Sequence, residues 1–209
     1  MEIAAYKIRK KYQDNLVLNI DSVNFTKGLI TGITGPNGSG KTTLLNIIAG
    51  LDPDFEGEVF YNGKMLDKKI GEDITLVFQK PYLFKRSVFD NIAYPLILRK
   101  ENTEIIKKSV AEIAKLLQIE DLLDKKGHQL SGGESQKVAL ARAIVFKPNI
   151  LLLDEATSSL DPESVQTIEE AIIRYNNQTK ATVIVITHDI EQSKRLCDEI
   201  VTLELGKVV

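Results

Sequence analysis

The run Leu29-Ile30-Thr31-Gly32-Ile33-Thr34-Gly35-Pro36-Asn37-Gly38-Ser39-Gly40-Lys41-Thr42-Thr43-Leu44-Leu45-Asn46-Ile47-Ile48-Ala49 decides the fold. Its first six residues read as a compact strand ending at Gly35. Leu44–Ala49 carries apolar residues on most faces, as a central helix packed against a sheet does, and Gly50 is placed to stop it. Between the two lies a loop with the spacing Gly35-x-x-x-x-Gly40-Lys41-Thr42. Glycines are needed there because side chains would keep phosphate oxygens away from backbone N–H groups. The start of the helix adds unsatisfied donors and a favourable dipole. Asn37, Gly38, Ser39, Gly40, Lys41, Thr42 and Thr43 are therefore the candidate phosphate contacts. Lys41 reaches the β- and γ-phosphates, and the Thr42 hydroxyl is a candidate Mg²⁺ ligand. The run implies a bound nucleoside triphosphate and does not separate ATP from GTP.

Farther along the chain, three more apolar runs end in polar residues suited to the same chemistry. Ile150-Leu151-Leu152-Leu153 leads into Asp154-Glu155. A carboxylate at a strand end beside a phosphate loop can hold Mg²⁺, directly or through water, which is the part read for Asp154. Glu155 is the candidate general base that polarises the attacking water. Thr182–Ile186 is a second buried strand, and His188 stands just past its end, where ligands of open α/β sheets gather. His188 could bond a γ-phosphate and steady the water, or simply belong to a helix-capping segment. Ile74–Phe78 ends at Gln79, whose amide could touch Mg²⁺ or the water, or serve as a turn residue. His128 has no comparable strand-end position.

Continuous apolar strands separated by helices predict an α/β fold with a mainly parallel sheet covered on both faces. Helices are expected over 135–146, 163–175 and 191–196, and a last strand over 199–205. Residues 3–34 alternate short apolar runs with turn signals, and 16–20 and 23–25 read as strands of a small, partly solvated sheet. Asn62-Gly63 marks a hairpin corner. Residues 86–126 have helical spacing and read as a subdomain inserted between core strands. Immediately after it, Leu130-Ser131-Gly132-Gly133-Glu134 forms a second anion-ready helix start. One phosphate loop already serves one triphosphate. The second cluster then reads as the half-site that completes a neighbouring subunit's cleft in a C2 dimer, and a plain capping box formed with Glu134 is compatible with that role.

Composition narrows the class. The chain has 209 residues, 43% hydrophobic and 27% charged, with a net charge of −2, so no basic excess points to nucleic acid. The single cysteine, Cys197, can form no internal disulfide. No apolar run approaches the ~18–20 residues that cross a bilayer, and charges interrupt Met1–Lys7 where a signal peptide needs apolar residues. A cytoplasmic protein that meets a membrane only through a partner is expected.

Together these runs resemble the nucleotide-binding subunit of ATP-binding-cassette (ABC) transporters, over essentially the whole chain. Gly35–Thr42 resembles the Walker A loop, Gln79 the Q-loop residue and Leu130–Glu134 the LSGGE signature. Ile150–Asp154 with Glu155 resembles Walker B and its catalytic glutamate, Ser158-Ser159-Leu160-Asp161 the D-loop, and His188 the switch histidine. Ala156 and Ser159 depart from the usual proline and alanine without removing a reactive group.

The resemblance implies a P-loop NTPase core with a mainly parallel sheet, a small N-terminal antiparallel β lobe and a helical subdomain inserted at about 84–134, within one domain spanning 1–209. It implies an ATPase using ATP and Mg²⁺, with Gln79, Glu155 and His188 as catalytic residues and Thr42, Gln79 and Asp154 around the metal. Ser131, Gly132 and Gly133 would close over the partner's nucleotide in a head-to-tail homodimer, and Tyr12 would stack on adenine. Two membrane permease subunits would dock near Tyr82, Leu83, Phe84, Val88 and Tyr94 at the inner face of the cell membrane. A prokaryotic importer would add an external binding protein. The segment Val77–Tyr94 resembles oxyanion importers, especially those for tungstate or molybdate. Export, lipoprotein or metal-ion transport, and a non-transport ATPase in assembly or repair remain the alternatives.

Overall fold

The computed structural model describes residues 1–158 and 160–209. The 29–34 run becomes β3 (Ile30–Thr34), flanked by β8 (Thr182–Ile186) and β9 (Glu199–Glu204), both parallel to it. With β6 (Ile74–Val77), β7 (Ile150–Asp154) and β10 (Lys207–Val208) they build a six-stranded sheet in the order β10-β9-β3-β8-β7-β6. Among the described residues of this sheet, only the β9–β10 pair is antiparallel.

Every residue of β7 and β8 is buried. Strand alternation sends Leu151, Leu153, Val183 and Val185 into one apolar cluster, and Ile150, Leu152, Ile184 and Ile186 into the other. The first cluster is closed by α3 (Val88–Leu98), α4 (Thr103–Leu116), α5 (Gly132–Ile144) and α6 (Pro162–Thr179). The second lies beneath α1 (Lys41–Ile48) and a four-stranded antiparallel sheet, β2-β1-β4-β5. That sheet comprises β1 (Ile3–Tyr12), β2 (Asn15–Phe25), β4 (Glu56–Tyr61) and β5 (Lys64–Met65). The architecture is thus a P-loop NTPase fold with an N-terminal antiparallel lobe and an inserted helical subdomain. Leu152→Ala removes apolar volume from a site with no exposure and should lower stability by about 3 kcal/mol, read as a fall in the melting temperature.

Local signals explain most element ends. Ser87, Asn102, Ser131, Asp161 and Asp189 each cap the helix that follows with a side-chain oxygen, Asp189 capping α7 (Ile190–Leu196). Asp67 caps the single-turn α2 (Lys68–Gly71). Asn62 and Gly63 turn the β4–β5 hairpin with φ of 48° and 76°. α1 and α5 begin earlier than the apolar periodicity suggests, at Lys41 and Gly132, because their glycine-rich loops feed directly into the first turn.

The N-terminal lobe differs more from the sequence expectation. Residues 15–25 form one strand rather than two, and β1 pairs along nearly its whole length. Its alternation is hidden by a bulge at Lys7 (φ 51°): Ile3 and Ala5 are buried before it, Ile8 and Lys10 after it, so the apolar phase slips by one residue. Among the described residues, no helix is long and apolar enough to cross a membrane.

Candidate active site

Strand β3 delivers the glycine-rich loop at its C-terminal end. Gly35 and Gly40 hold left-handed backbone (φ 135° and 99°), and neither has room for a side chain. A Cβ at Gly35 would lie 2.0 Å from the Leu203 carbonyl oxygen, and one at Gly40 would lie 2.5 Å from Leu18 Cδ2. The loop is therefore clamped between β9 and β2. The resulting cleft, 320 Å³ in volume, is lined by Val17, Asn37, Gly38, Gly40, Lys41, Thr42, Thr43 and Glu155. Val17 carried no signal in the sequence, since its place depends on β2 folding over the loop.

Lys41 is 5% exposed, and its Nζ donates to the carbonyls of Gly35 (3.0 Å) and Pro36 (2.9 Å). Burial pulls its pKa below the ordinary lysine value, against the opposing pull of Glu155 and Asp154. The buried Ser39 Oγ has no hydrogen-bond partner among the described residues. An ammonium bonded only to loop carbonyls beside an unpaired buried hydroxyl is a donor set suited to phosphate oxygens.

At the adjacent residue, Thr42 Oγ1 donates to Asp154 Oδ1 at 3.1 Å. These are hard oxygen ligands of the kind Mg²⁺ takes, usually in company with phosphate and water oxygens. Among the described residues, no group of three or more His, Cys, Asp or Glu could hold a metal ion alone. Burial pushes the Asp154 carboxyl above the usual carboxylate range; the Thr42 bond opposes the shift and the Glu155 charge adds to it. The folded carboxyl thus ionises less readily than the unfolded one. Stability is lost as pH rises from the unfolded to the folded pKa, and the loss persists above it. Asp154→Asn should accordingly raise the melting temperature of the nucleotide-free protein at neutral pH, with the gain disappearing in acid.

Gln79, Glu155 and His188 come together. Gln79 Nε2 donates to Glu155 Oε2 (2.9 Å) and to Ser158 Oγ (3.1 Å), and His188 Nε2 contacts Glu155 Oε1. Glu155 has φ 48°, a left-handed conformation that a non-glycine residue adopts only under strain. Its backbone N–H is held by the Ile186 carbonyl at 3.1 Å, which ties the end of β7 to the end of β8. His128, by contrast, is exposed in a short 3₁₀ turn.

The residues of the second glycine cluster do not line this cleft. Ser131, Gly132 and Gly133 open α5, where Ser131 Oγ accepts from Glu134 N (3.3 Å) and Glu134 Oε2 accepts from Ser131 N (2.7 Å). The capping box is therefore realised, and Ser131 remains exposed. Tyr12 also lies outside the cleft, half exposed at the end of β1. Its hydroxyl donates to Asp52 Oδ2 (3.0 Å), and the buried Lys10 ammonium sits 4.8 Å from its ring centroid. Of the D-loop segment, Ser159 lies outside the described residues.

A separate groove of 400 Å³ runs between the end of β6 and helices α3 and α5. Tyr82 is 75% exposed there, and Phe84 packs edge-on against Tyr94 with ring centroids 4.9 Å apart. Val88, expected at this surface, is instead fully buried at the first turn of α3, and Leu83 packs on the core. The sequence reading missed Asn91, a buried polar residue on α3. It accepts from Phe84 N (2.8 Å) and donates to the carbonyls of Phe84 (3.1 Å) and Ser87 (2.9 Å), fixing the groove wall.

The family profile described as ABC transporter matches residues 18–158. The tungstate uptake system ATP-binding protein TupC of Peptoclostridium acidaminophilum is 54% identical over 208 residues, covering 100% of this chain and 97% of that protein. The spermidine/putrescine import ATP-binding protein PotA of Legionella pneumophila is 38% identical over 205 residues; the match covers 97% of this chain and 56% of PotA. Among solved structures, the dimeric bacterial ABC transporter cassette MJ0796 matches with a TM-score of 0.90 and 34% identity, over 99% of this chain and 96% of that one. Profile, sequence and fold agree with the cleft at the end of β3: the chain belongs to the ABC transporter family as an ATP-hydrolysing, nucleotide-binding subunit.

Proposed function

We propose that this subunit hydrolyses ATP in a head-to-tail homodimer and so powers import of an oxyanion of the tungstate type through separate membrane subunits. The observation that carries the cargo class is the 54% identity to a tungstate-uptake ATPase along 208 residues. In the proposed cycle Lys41 and the loop N–H groups would hold the phosphates, while Thr42, Asp154 and Gln79 would hold Mg²⁺. The metal's contribution is to neutralise charge on the phosphate oxygens. Glu155 takes the proton of the attacking water, and His188 steadies Glu155 and the γ-phosphate side. Tyr12 stacks on adenine.

Ser131, Gly132 and Gly133 complete the partner's cleft. The exposure of Ser131 and Gly132 at the start of α5, away from the cleft of their own chain, supports that role. The dimer also finds support in MJ0796, whose solved dimers include a post-hydrolysis state with ADP and phosphate. The Tyr82–Phe84–Tyr94 groove receives a permease segment, two permeases serving two ATPase subunits, with an external binding protein delivering the cargo. The subunit then works on the cytoplasmic face of the membrane without nucleic acid.

The test is reconstitution with the membrane permease and its binding protein in vesicles. Tungstate or molybdate should stimulate ATPase activity, while spermidine and methionine should not. Stimulation by a polyamine or amino acid instead of an oxyanion would remove the cargo assignment and leave the ATPase reading intact.

A further inference from the structure

We propose that Gln192, with Glu169 and Thr157, forms a positioning device for hydrolysis, holding the segment that carries Glu155 and the helix that follows His188 in one fixed relation. The inference rests on the reading of Glu155 and His188 as the hydrolytic pair.

Gln192 lies on α7 and is 3% exposed; Glu169 lies on α6 and is 8% exposed. Gln192 Nε2 donates to Thr157 Oγ1 at 2.8 Å and to Glu169 Oε1 at 2.9 Å. An ionised carboxylate only accepts, so the amide nitrogen must face it and the amide orientation is set. Arg195 closes the network, donating from its guanidinium to Glu169 Oε1 at 3.0 Å. Three segments that meet nowhere in sequence are thereby joined: the turn after β7, helix α6 and helix α7.

Their placement gives the network its purpose. Thr157 follows Glu155 by two residues, and Gln192 follows His188 by four, in the first turn of α7. The backbone of Gln192 is also held, because its N–H donates to the α7 cap Asp189 at 3.0 Å. The direct contact between Glu155 and His188 sits at the solvent edge, where His188 is exposed. A paired network centred on the buried Gln192 and Glu169 supplies stiffness that a pair with one exposed member lacks. Hydrolysis needs that stiffness, since small displacements of a general base lower the rate steeply.

The experiment compares Thr157→Val, which deletes the hydroxyl and keeps the volume, with Thr157→Ser, which keeps the hydroxyl and deletes the methyl. Thr157→Val and Gln192→Leu should each lower kcat about tenfold while KM for ATP stays within about twofold, and Thr157→Ser should stay near wild type. In a His188→Ala background, Thr157→Val should cost little further, because both changes act through the same pair. Equal slowing by Thr157→Ser and Thr157→Val would mean the methyl packing matters, and the proposal would fall. So would a folded Thr157→Val enzyme at full kcat, provided Glu155→Gln is inactive. If Glu155→Gln itself turns over normally, the underlying hydrolytic assignment fails instead. The Thr157 pair decides the matter where Gln192→Leu does not fold.

Discussion

Glu155→Gln should bind ATP as the wild type does and lose about a thousandfold in turnover, within the range general-base removal produces. The substitution keeps size and shape, and its carbonyl oxygen can still accept from Gln79 Nε2, now 2.9 Å from the carboxylate. It removes the ability to take a proton at neutral pH. If hydrolysis is what reopens the proposed dimer, ATP-loaded Glu155→Gln should accumulate as a dimer. Phosphate release and size-exclusion chromatography read the two effects separately. Turnover within twofold of wild type would take Glu155 out of the base role.

Ser131→Arg should lower ATPase activity about a hundredfold by filling the partner's cleft with a long cation, without touching the Lys41 site of its own chain. The change also removes a cap worth about 1 kcal/mol and puts positive charge at a helix N-terminus. A melting curve must therefore show that the variant folds. Mixing separates the two explanations. In a head-to-tail dimer of one Ser131→Arg subunit and one Lys41→Ala subunit, both lesions fall in the same cleft and the other cleft is intact. Two inactive preparations should then recover activity when combined, approaching about a quarter of the wild-type rate if half the dimers are mixed and each has one working site. No recovery on mixing would sink the shared-cleft arrangement.

The core strands and the cleft residues they carry were legible because each rests on local chemistry. β7 and β8 are unbroken apolar runs, and Asp154, Glu155 and His188 stand at their ends. The Gly35–Thr42 loop shows its backbone demands in its glycines. The N-terminal lobe was not legible in the same way, because the bulge at Lys7 shifts the apolar phase of β1 and buries a lysine, Lys10, that pairs with Asp52. Val17, Asn91 and Gln192 escaped notice for a related reason. Each takes its meaning from a neighbour far away in sequence, and a lone valine, asparagine or glutamine advertises nothing. Val88 stood in an apolar run that suits a partner groove and core packing equally, and its full burial in α3 places it with the core.

The left-handed backbone at Glu155 sets a limit on how this enzyme can change. At φ 48°, glycine would fit without strain and would leave a more comfortable turn. Asp154, next to it, carries a charge that its burial disfavours. Two adjacent positions therefore favour replacement on grounds of folding alone, and either replacement would remove chemistry. A lineage selected only for a sturdier protein would drift toward an inert nucleotide binder. Selection for turnover has to act against that drift at these two residues.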